Sequence, residues 1–371
     1  MKKIIFYGPL GIAKPFLGGG EAGNKKTISL LKNAGYKIEI LEKPYLFDIP
    51  VLREFIAPLQ FFHKMILLII RQFGIYKDAD IFHLSAFYYK LMFFEYLFIS
   101  IAKKMGFKTI YEIRAGGMIY AYKHGSNWYK KLFLSTIKKT DLILCQGKEY
   151  CIFLEKEFNI QSMYYPNYIQ NSLITKKNLI KNRILSGKLC LVYFGRLVNS
   201  KRIDIVIKIA SELKKKGIFF ILNIIGSGNE SYLADIRSLV NELNLTEQVI
   251  FHGRLVLDEM VEILRHQHFF LFPSNEMREG HSNSLTEAMS FGIVPIASNA
   301  GFNASVIGEK ELVINDKKPI CFAEKIVEIY NDLKLWKKYS NQMHKRVYEN
   351  YTEKIVSKSL LSAYNKLSTT K

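Results

Sequence analysis

The chain has 371 residues, 49% of them hydrophobic and 23% charged. At roughly 150 residues per domain that suits two or three packed cores, and it excludes a disordered, collagen-like or disulfide-framed chain. Lysine and arginine number 53 against 33 aspartates and glutamates, a net charge of +20, which asks for an anionic partner: nucleic acid, a lipid surface or a phosphorylated small molecule.

The excess is spread, with +11 over residues 1–175 and +9 over the rest. No local block resembles a nucleic-acid tail, and most of the lysines read as solvated surface. Cys145, Cys151, Cys190 and Cys321 lack metal-type spacing and suit a reducing compartment. The opening MKKIIFYG is too short in its apolar run for a signal peptide and reads as a strand. No stretch reaches about 18 uninterrupted apolar residues, so no transmembrane helix is expected.

In chain order, KKIIFYG, YKIEILE, DADIFHLS, FKTIYEIR and TDLILCQ read as strands, with helices near 22–35, 50–73, 86–105, 127–139 and 147–158. Strand–helix alternation implies a parallel sheet covered on both faces. The pattern weakens over 163–187 and then restarts. KLCLVYFGR, FFILNIIGSG, VIFHGR, HFFLFPS, IVPIASN and ELVIN are strands, with helices at 202–216, 230–244, 257–266, 284–291 and 322–333. The expectation is an α/β chain of two doubly wound halves, 1–170 and 171–351. An amphipathic helix over 352–371 crosses back to the first half. Sheets of this kind bind ligands beyond the carboxyl ends of their strands.

Four constellations stand at such ends. Gly195 and Arg196 close one strand and Lys201 follows before a helix. Two cations there favour a multiply charged anion, or they are solvated cations after a turn glycine. IIGSGNE places Gly226 and Gly228 after a strand, and VIFHGRL repeats the arrangement with Gly253 and Arg254. A GxG alone is weak evidence. In FLFPSNEMREGHSNSLTEAM, a loop with Glu279, Gly280, His281, Ser282 and Asn283 leads into a helix through Ser284, Leu285 and Glu287. Its free amides suit a phosphate and its carboxylates suit sugar hydroxyls. Glu287 also fits a capping box with Ser284. In the first half, Gly18, Gly19 and Glu21 form a glycine cluster that is neither a dinucleotide fingerprint nor a P-loop. RAGG, from Arg114, is a second glycine-rich turn.

FGRLVNSKRID, IIGSGNE, FHGRL and EGHSNSLTEAMSFGIVPIAS, in that order, resemble family 4 glycosyltransferases, which are retaining enzymes of the GT-B fold with two facing Rossmann-like domains. The resemblance implies that Arg196 and Lys201 hold the diphosphate of a nucleotide-sugar. It gives the transferred sugar to Glu279, the ribose to Glu287, phosphate and sugar to the backbone of Ser282–Leu285, and the base to Gly253–Leu255. It implies no metal and no cofactor, the nucleotide-sugar being a substrate; Asp78-x-Asp80 is discounted as a metal motif. Where many members carry a His-Gly pair, this chain has Arg114 and Ala115. His83 is then either a residue facing the cleft or a structural histidine, and Arg114 a candidate for an acceptor phosphate.

The implied activity is transfer of a sugar from a UDP- or GDP-sugar to a growing, lipid-linked glycan of a bacterial surface polysaccharide, O antigen or capsule. The implied setting is cytoplasmic, peripheral to an anionic membrane. The alternatives are an epimerase or phosphorylase of the same fold, or, in another class, a nucleic-acid-binding protein, which the dispersed charge disfavours.

Overall fold

The computed structural model describes residues 2–11, 19–43, 62–71, 78–86, 91–114, 116–170, 173, 185, 187–275 and 279–369. It divides into two compact units. Met1–Pro166 with Ser357–Lys371 form the first and Asn167–Val356 the second. The junction at 166 has a physical basis, because Asn167 donates to the His281 carbonyl at 2.7 Å and Ile169 pairs with Thr352.

The first unit is built from β1 (Lys3–Gly8), α1 (Gly19–Asn33), β2 (Lys37–Glu42), α2 (62–71), β3 (Ile81–Ala86), α3 (Met92–Lys104), β4 (Lys108–Ile113), α4 (Met118–His124), α5 (Asn127–Lys139), β5 (Leu142–Cys145), α6 (Lys148–Phe158) and β6 (Met163–Tyr164). Its sheet runs β2-β1-β3-β4-β5-β6 and every pairing is parallel. β1, β3 and β4 are almost wholly buried. That is why they read as continuous apolar runs and not as alternating ones.

The second unit repeats the plan with β7 (Leu189–Phe194), α7 (Ile203–Lys215), β8 (Phe220–Ile225), α8 (Glu230–Glu242), β9 (Val249–Gly253), α9 (Leu257–Leu264), β10 (Phe269–Phe272), α10 (Asn283–Ser290), β11 (Val294–Ser298), α11 (Asn303–Ile307), β12 (Val313–Ile314), α12 (Pro319–Tyr330) and α13 (Leu333–Asn350). The sheet order is β12-β11-β10-β7-β8-β9, again parallel. The order reverses between β7 and β10, the switch point where loops diverge and leave room for a ligand. Helix α14 (Glu353–Thr369) returns from Ser357 to the first unit. The expected two-unit α/β fold stands.

The expected helices need correction. α1 begins at Gly19, not near 22, so Gly19 and Glu21 are helix residues and not part of an open glycine loop; Gly18 lies outside the described residues. α4, α11 and α13 were not foreseen. α13 is mostly polar and buries only a narrow stripe, including Trp336, Met343 and Val347. No helix among the described residues is long and apolar enough to cross a membrane.

Candidate functional site

In the second unit three adjacent strands run out on glycine. The Gly195 amide donates to the Ile225 carbonyl and the Gly226 amide to the Gly253 carbonyl. Beyond them the Leu197 amide donates to the Ser227 carbonyl, opposite Gly228. A Cβ on Gly226 would sit 1.9 Å from the Gly195 oxygen, and one on Gly228 would sit 1.8 Å from the Leu197 oxygen. Backbone fills both places. The absence of a side chain at Gly226 and Gly228, read as room for a donor, lets the loop after β7 cross the end of β8. Gly195 is open toward α10, since its Cβ would meet only the Tyr193 hydroxyl at 3.5 Å and Ser284 Oγ at 3.9 Å. Gly253 faces open space, and Arg254 beside it is exposed.

The two cations of the first constellation part company. Arg196 is exposed and its guanidinium has no ion-pair partner among the described residues. Its carbonyl is held by the Tyr193 hydroxyl at 2.9 Å. Burial, reinforced by the Glu279 charge, pushes that hydroxyl far above its usual pKa, so it remains a donor. Lys201 turns inward and is 8% exposed. Arg202 makes the turn with φ +57°, a strained conformation for a residue with a Cβ. Its guanidinium is fixed bidentately on Asp204 at 2.9 and 2.8 Å. The neighbouring cation is thereby held outside while Lys201 goes in.

Lys201 Nζ donates to Glu279 Oε2, and Ser274 Oγ donates to the same oxygen at 2.8 Å. The lysine also lies over the Phe272 ring, 5.4 Å from its centroid. A buried pair needs hydrogen bonds as well as Coulomb attraction to offset desolvation, and Ser274 supplies one. The loop is tied down: Ser298 Oγ donates to the Ser274 carbonyl, and the Asn275 amide to the Ser200 carbonyl. Gly301, with φ +51°, passes so close that a Cβ would lie 2.0 Å from the Glu279 backbone carbonyl oxygen. Tyr193, Ser274 and Gly301 escaped the sequence reading; only the position of Ser274 just after a strand hinted at a site.

Ser282 caps α10, its Oγ accepting from the Leu285 amide. This overturns the capping box between Ser284 and Glu287. It also moves Glu287 out of the first turn. The Asn283 and Ser284 amides have no acceptor among the described residues. They stand at the positive end of the helix, where an anion is stabilised. Gly280 is half-buried on the approach to this helix. The His281 imidazole is turned inward, bonding Thr286 Oγ1 at 2.6 Å and packing edge-on to Tyr351; its reading as a donor-binding side chain is corrected.

In the first unit, His83 and Arg114 are structural. His83 is fully buried in the middle of β3. It bonds the Tyr364 hydroxyl through Nδ1 and Glu112 Oε2 through Nε2 at 3.0 Å. Arg114 pairs with Glu112 Oε1 at 2.7 Å and donates to Thr27 Oγ1 at 2.7 Å. Burial alone would raise the Glu112 carboxyl, but the charge of Arg114 and the bond to His83 hold it below the usual range. Neither residue offers a free charge to an acceptor. Asp78 is engaged by Lys3 Nζ and Asp80 by the Lys3 amide, and no metal cluster exists among the described residues.

Residues 175–348 match the family model described as glycosyl transferases group 1. The match contains Gly195 to Arg202, Gly226 to Gly228, Gly253 and Arg254, Phe272 and Ser274, Glu279 to Glu287, and Gly301. The chain is 26% identical over 187 residues to the capsular polysaccharide biosynthesis glycosyltransferase CapM of Staphylococcus aureus, an alignment covering 50% of the chain and 48% of CapM. The chain thus spans about half the length of that curated relative. Among solved structures, HepE of Anabaena in complex with UDP superposes with a TM-score of 0.73 at 14% identity, covering 99% of this chain and 100% of that one. A sucrose-phosphate synthase from Thermosynechococcus elongatus gives a TM-score of 0.76 at 15% identity over 100% of both chains. These likenesses establish the fold.

Proposed function

We propose that this protein is a retaining glycosyltransferase of family 4 that moves a sugar from a nucleoside diphosphate to a hydroxyl of a growing, lipid-linked glycan. The observation that carries the reading is the gathering, at one switch point, of an exposed Arg196, the Lys201–Glu279 pair and the open amides of α10. Cations and amides suit a diphosphate, and the carboxylate suits sugar hydroxyls. The match to glycosyl transferases group 1 supports the reaction class. The likeness to CapM supports a surface-polysaccharide setting, and the UDP in the HepE complex makes UDP the first nucleotide to test.

Chemically, Arg196 and Lys201 neutralise charge as the diphosphate departs, the kind of stabilisation that counts most where charge develops. Glu279 orients the sugar. Attack comes from the face the nucleotide leaves, and the departing phosphate takes the acceptor proton. With the neutralisation assigned to two side chains, turnover is expected to persist in chelator. The setting that follows is the cytoplasmic face of a membrane.

A thermal-shift panel of nucleoside diphosphates and their sugars tests the proposal, because a bound ligand raises the melting temperature by mass action. Arg196→Ala is the clean variant, its side chain being exposed. The melting temperature should stay as it is and affinity for the shifting nucleotide should fall by about 10- to 100-fold, the loss of one charge-assisted hydrogen bond. Absence of any shift across the panel, or full affinity in Arg196→Ala, overturns the assignment.

A further inference from the structure

In the first unit, the end of β5 and the start of α6 bring two of the four cysteines together. Cys145 is the last residue of β5 and is fully buried. The backbone around it is pinned. Its carbonyl accepts from the Tyr165 amide at 2.7 Å, and the Gln146 amide donates to the Ile113 carbonyl at 2.9 Å. The chain turns at Gly147 into α6, whose first turn is steadied by the Tyr150 hydroxyl, accepting from the Met118 amide at 2.9 Å. Cys151 is the fourth residue of α6, half-buried and followed by the exposed Ile152. The Cys145 and Cys151 side chains hydrogen-bond to one another, and the Ser162 hydroxyl reaches both. Cys190 and Cys321 belong to the second unit.

The two sulfurs stand in different surroundings. Cys151 lies near the amino end of a helix and nearer to solvent, the setting that favours a thiolate. The hydrogen bond from Cys145 draws its thiol below the usual range, against the opposing effects of burial and of the Glu149 charge. Burial holds the Cys145 thiol well above that range, so Cys145 keeps its proton. A thiolate that an oxidant can reach, with a protonated thiol in contact behind it, is the arrangement of a redox-sensing pair. Disulfides formed in a reducing compartment are transient and of this kind.

We propose that Cys145 and Cys151 form a peroxide-reactive dithiol site, with Cys151 the attacking sulfur and Cys145 the resolving one. The Cys151 thiolate attacks one oxygen of hydrogen peroxide. The S–O bond forms, the O–O bond breaks, and the hydroxide that leaves takes up the proton the thiol released, giving water. The Cys145 sulfur then attacks the sulfenic sulfur. The S–S bond forms, the S–O bond breaks, and the hydroxyl leaves as water with the Cys145 proton. Two thiols are oxidised and one peroxide is reduced to two waters. A dithiol reductant reverses the change. The site goes beyond the transfer reaction and stands or falls separately from nucleotide binding.

Full-length protein is treated with hydrogen peroxide, the remaining thiols are blocked with N-ethylmaleimide, and tryptic peptides are weighed. Lys148 lies between the two cysteines, so their disulfide joins peptide 140–148 to peptide 149–156. Wild type should give that joined pair, and dithiothreitol should restore both thiols. Cys145→Ser should stop at a Cys151 sulfenic acid, captured by dimedone. Cys151→Ser should slow peroxide-driven loss of the Cys145 thiol by about ten-fold or more. Cys190→Ser with Cys321→Ser should leave the joined pair unchanged. Circular dichroism confirms that each variant is folded, and the wild-type peptide map needs no variant. The proposal is overturned if peroxide leaves Cys145 and Cys151 unjoined in wild type, if Cys151→Ser loses the Cys145 thiol as fast as wild type does, or if either sulfur is found joined to Cys190 or Cys321 instead.

Discussion

Lys201 and Glu279 satisfy one another before any ligand arrives. Each is nearly buried and each supplies the other's ion-pair partner, so on the proposed reading the donor has to open or share an existing pair. Removing one partner strands a buried charge, which is more damaging than losing the interaction itself. Lys201→Ala is expected to cut turnover by roughly 10²–10³-fold and to lower the melting temperature. Glu279→Gln should act in the same direction. Because the two share one contact, the double variant should lose far less than the product of the single losses; multiplicative losses in steady-state kinetics would show two independent sites. A second residue-scale expectation concerns acid. Glu112 has a folded pKa below its unfolded value of 4.5. Its contribution is present above that value and is lost as pH falls through the folded pKa. Glu112→Gln should therefore be less stable than wild type at pH 7, by about 3–5 kcal/mol in denaturant unfolding, and the gap should narrow as the pH falls below 4.5. A gap independent of pH would mean that Glu112 is not ionised in the fold.

Among elements, the loops at the carboxyl ends of β7 and β8 are one device. Gly228→Ala puts a methyl onto the Leu197 carbonyl. It should push the β7 loop aside, lowering both stability and nucleotide affinity through Arg196 and Lys201. Gly253→Ala meets open space and pays only for φ +66°, about 1 kcal/mol, so melting and nucleotide titration of the two variants should separate the cases. Equal effects would deny the crossing its role. The contrast also bears on what a sequence carries. Strands showed as apolar runs because both sheet faces are covered, and α5 matched its expected 127–139 bounds because a Ser126 cap opens it. The cations, glycines and acidic loop were legible because they cluster at strand ends. What was hidden depends on contacts far along the chain: that the neighbours of Gly226 are backbone, that His281 packs on Tyr351, and that Glu112 claims both His83 and Arg114. Spacing alone does not reveal which way a side chain turns.

At the scale of the molecule, the chain leaves its first unit at Pro166 and re-enters it at Ser357. The re-entry is chemically marked: Tyr364 closes the His83 ring nitrogen, packs edge-on to Tyr36, and is fully buried. The Tyr36 hydroxyl in turn donates to Asn365 at 3.0 Å. Residues Tyr364 and Asn365 thus complete the core of the first unit. Tyr364→Phe removes one buried hydroxyl and leaves His83 Nδ1 without it, a cost of about 1–3 kcal/mol. That cost should fall on the first unit alone. Melting monitored by hydrogen exchange is expected to show lost protection in β3 and β4, while β7 to β10 and the nucleotide-induced stabilisation of the second unit stay unchanged. If protection fell equally in both units, they would unfold as one cooperative body and the division of labour between them would be wrong.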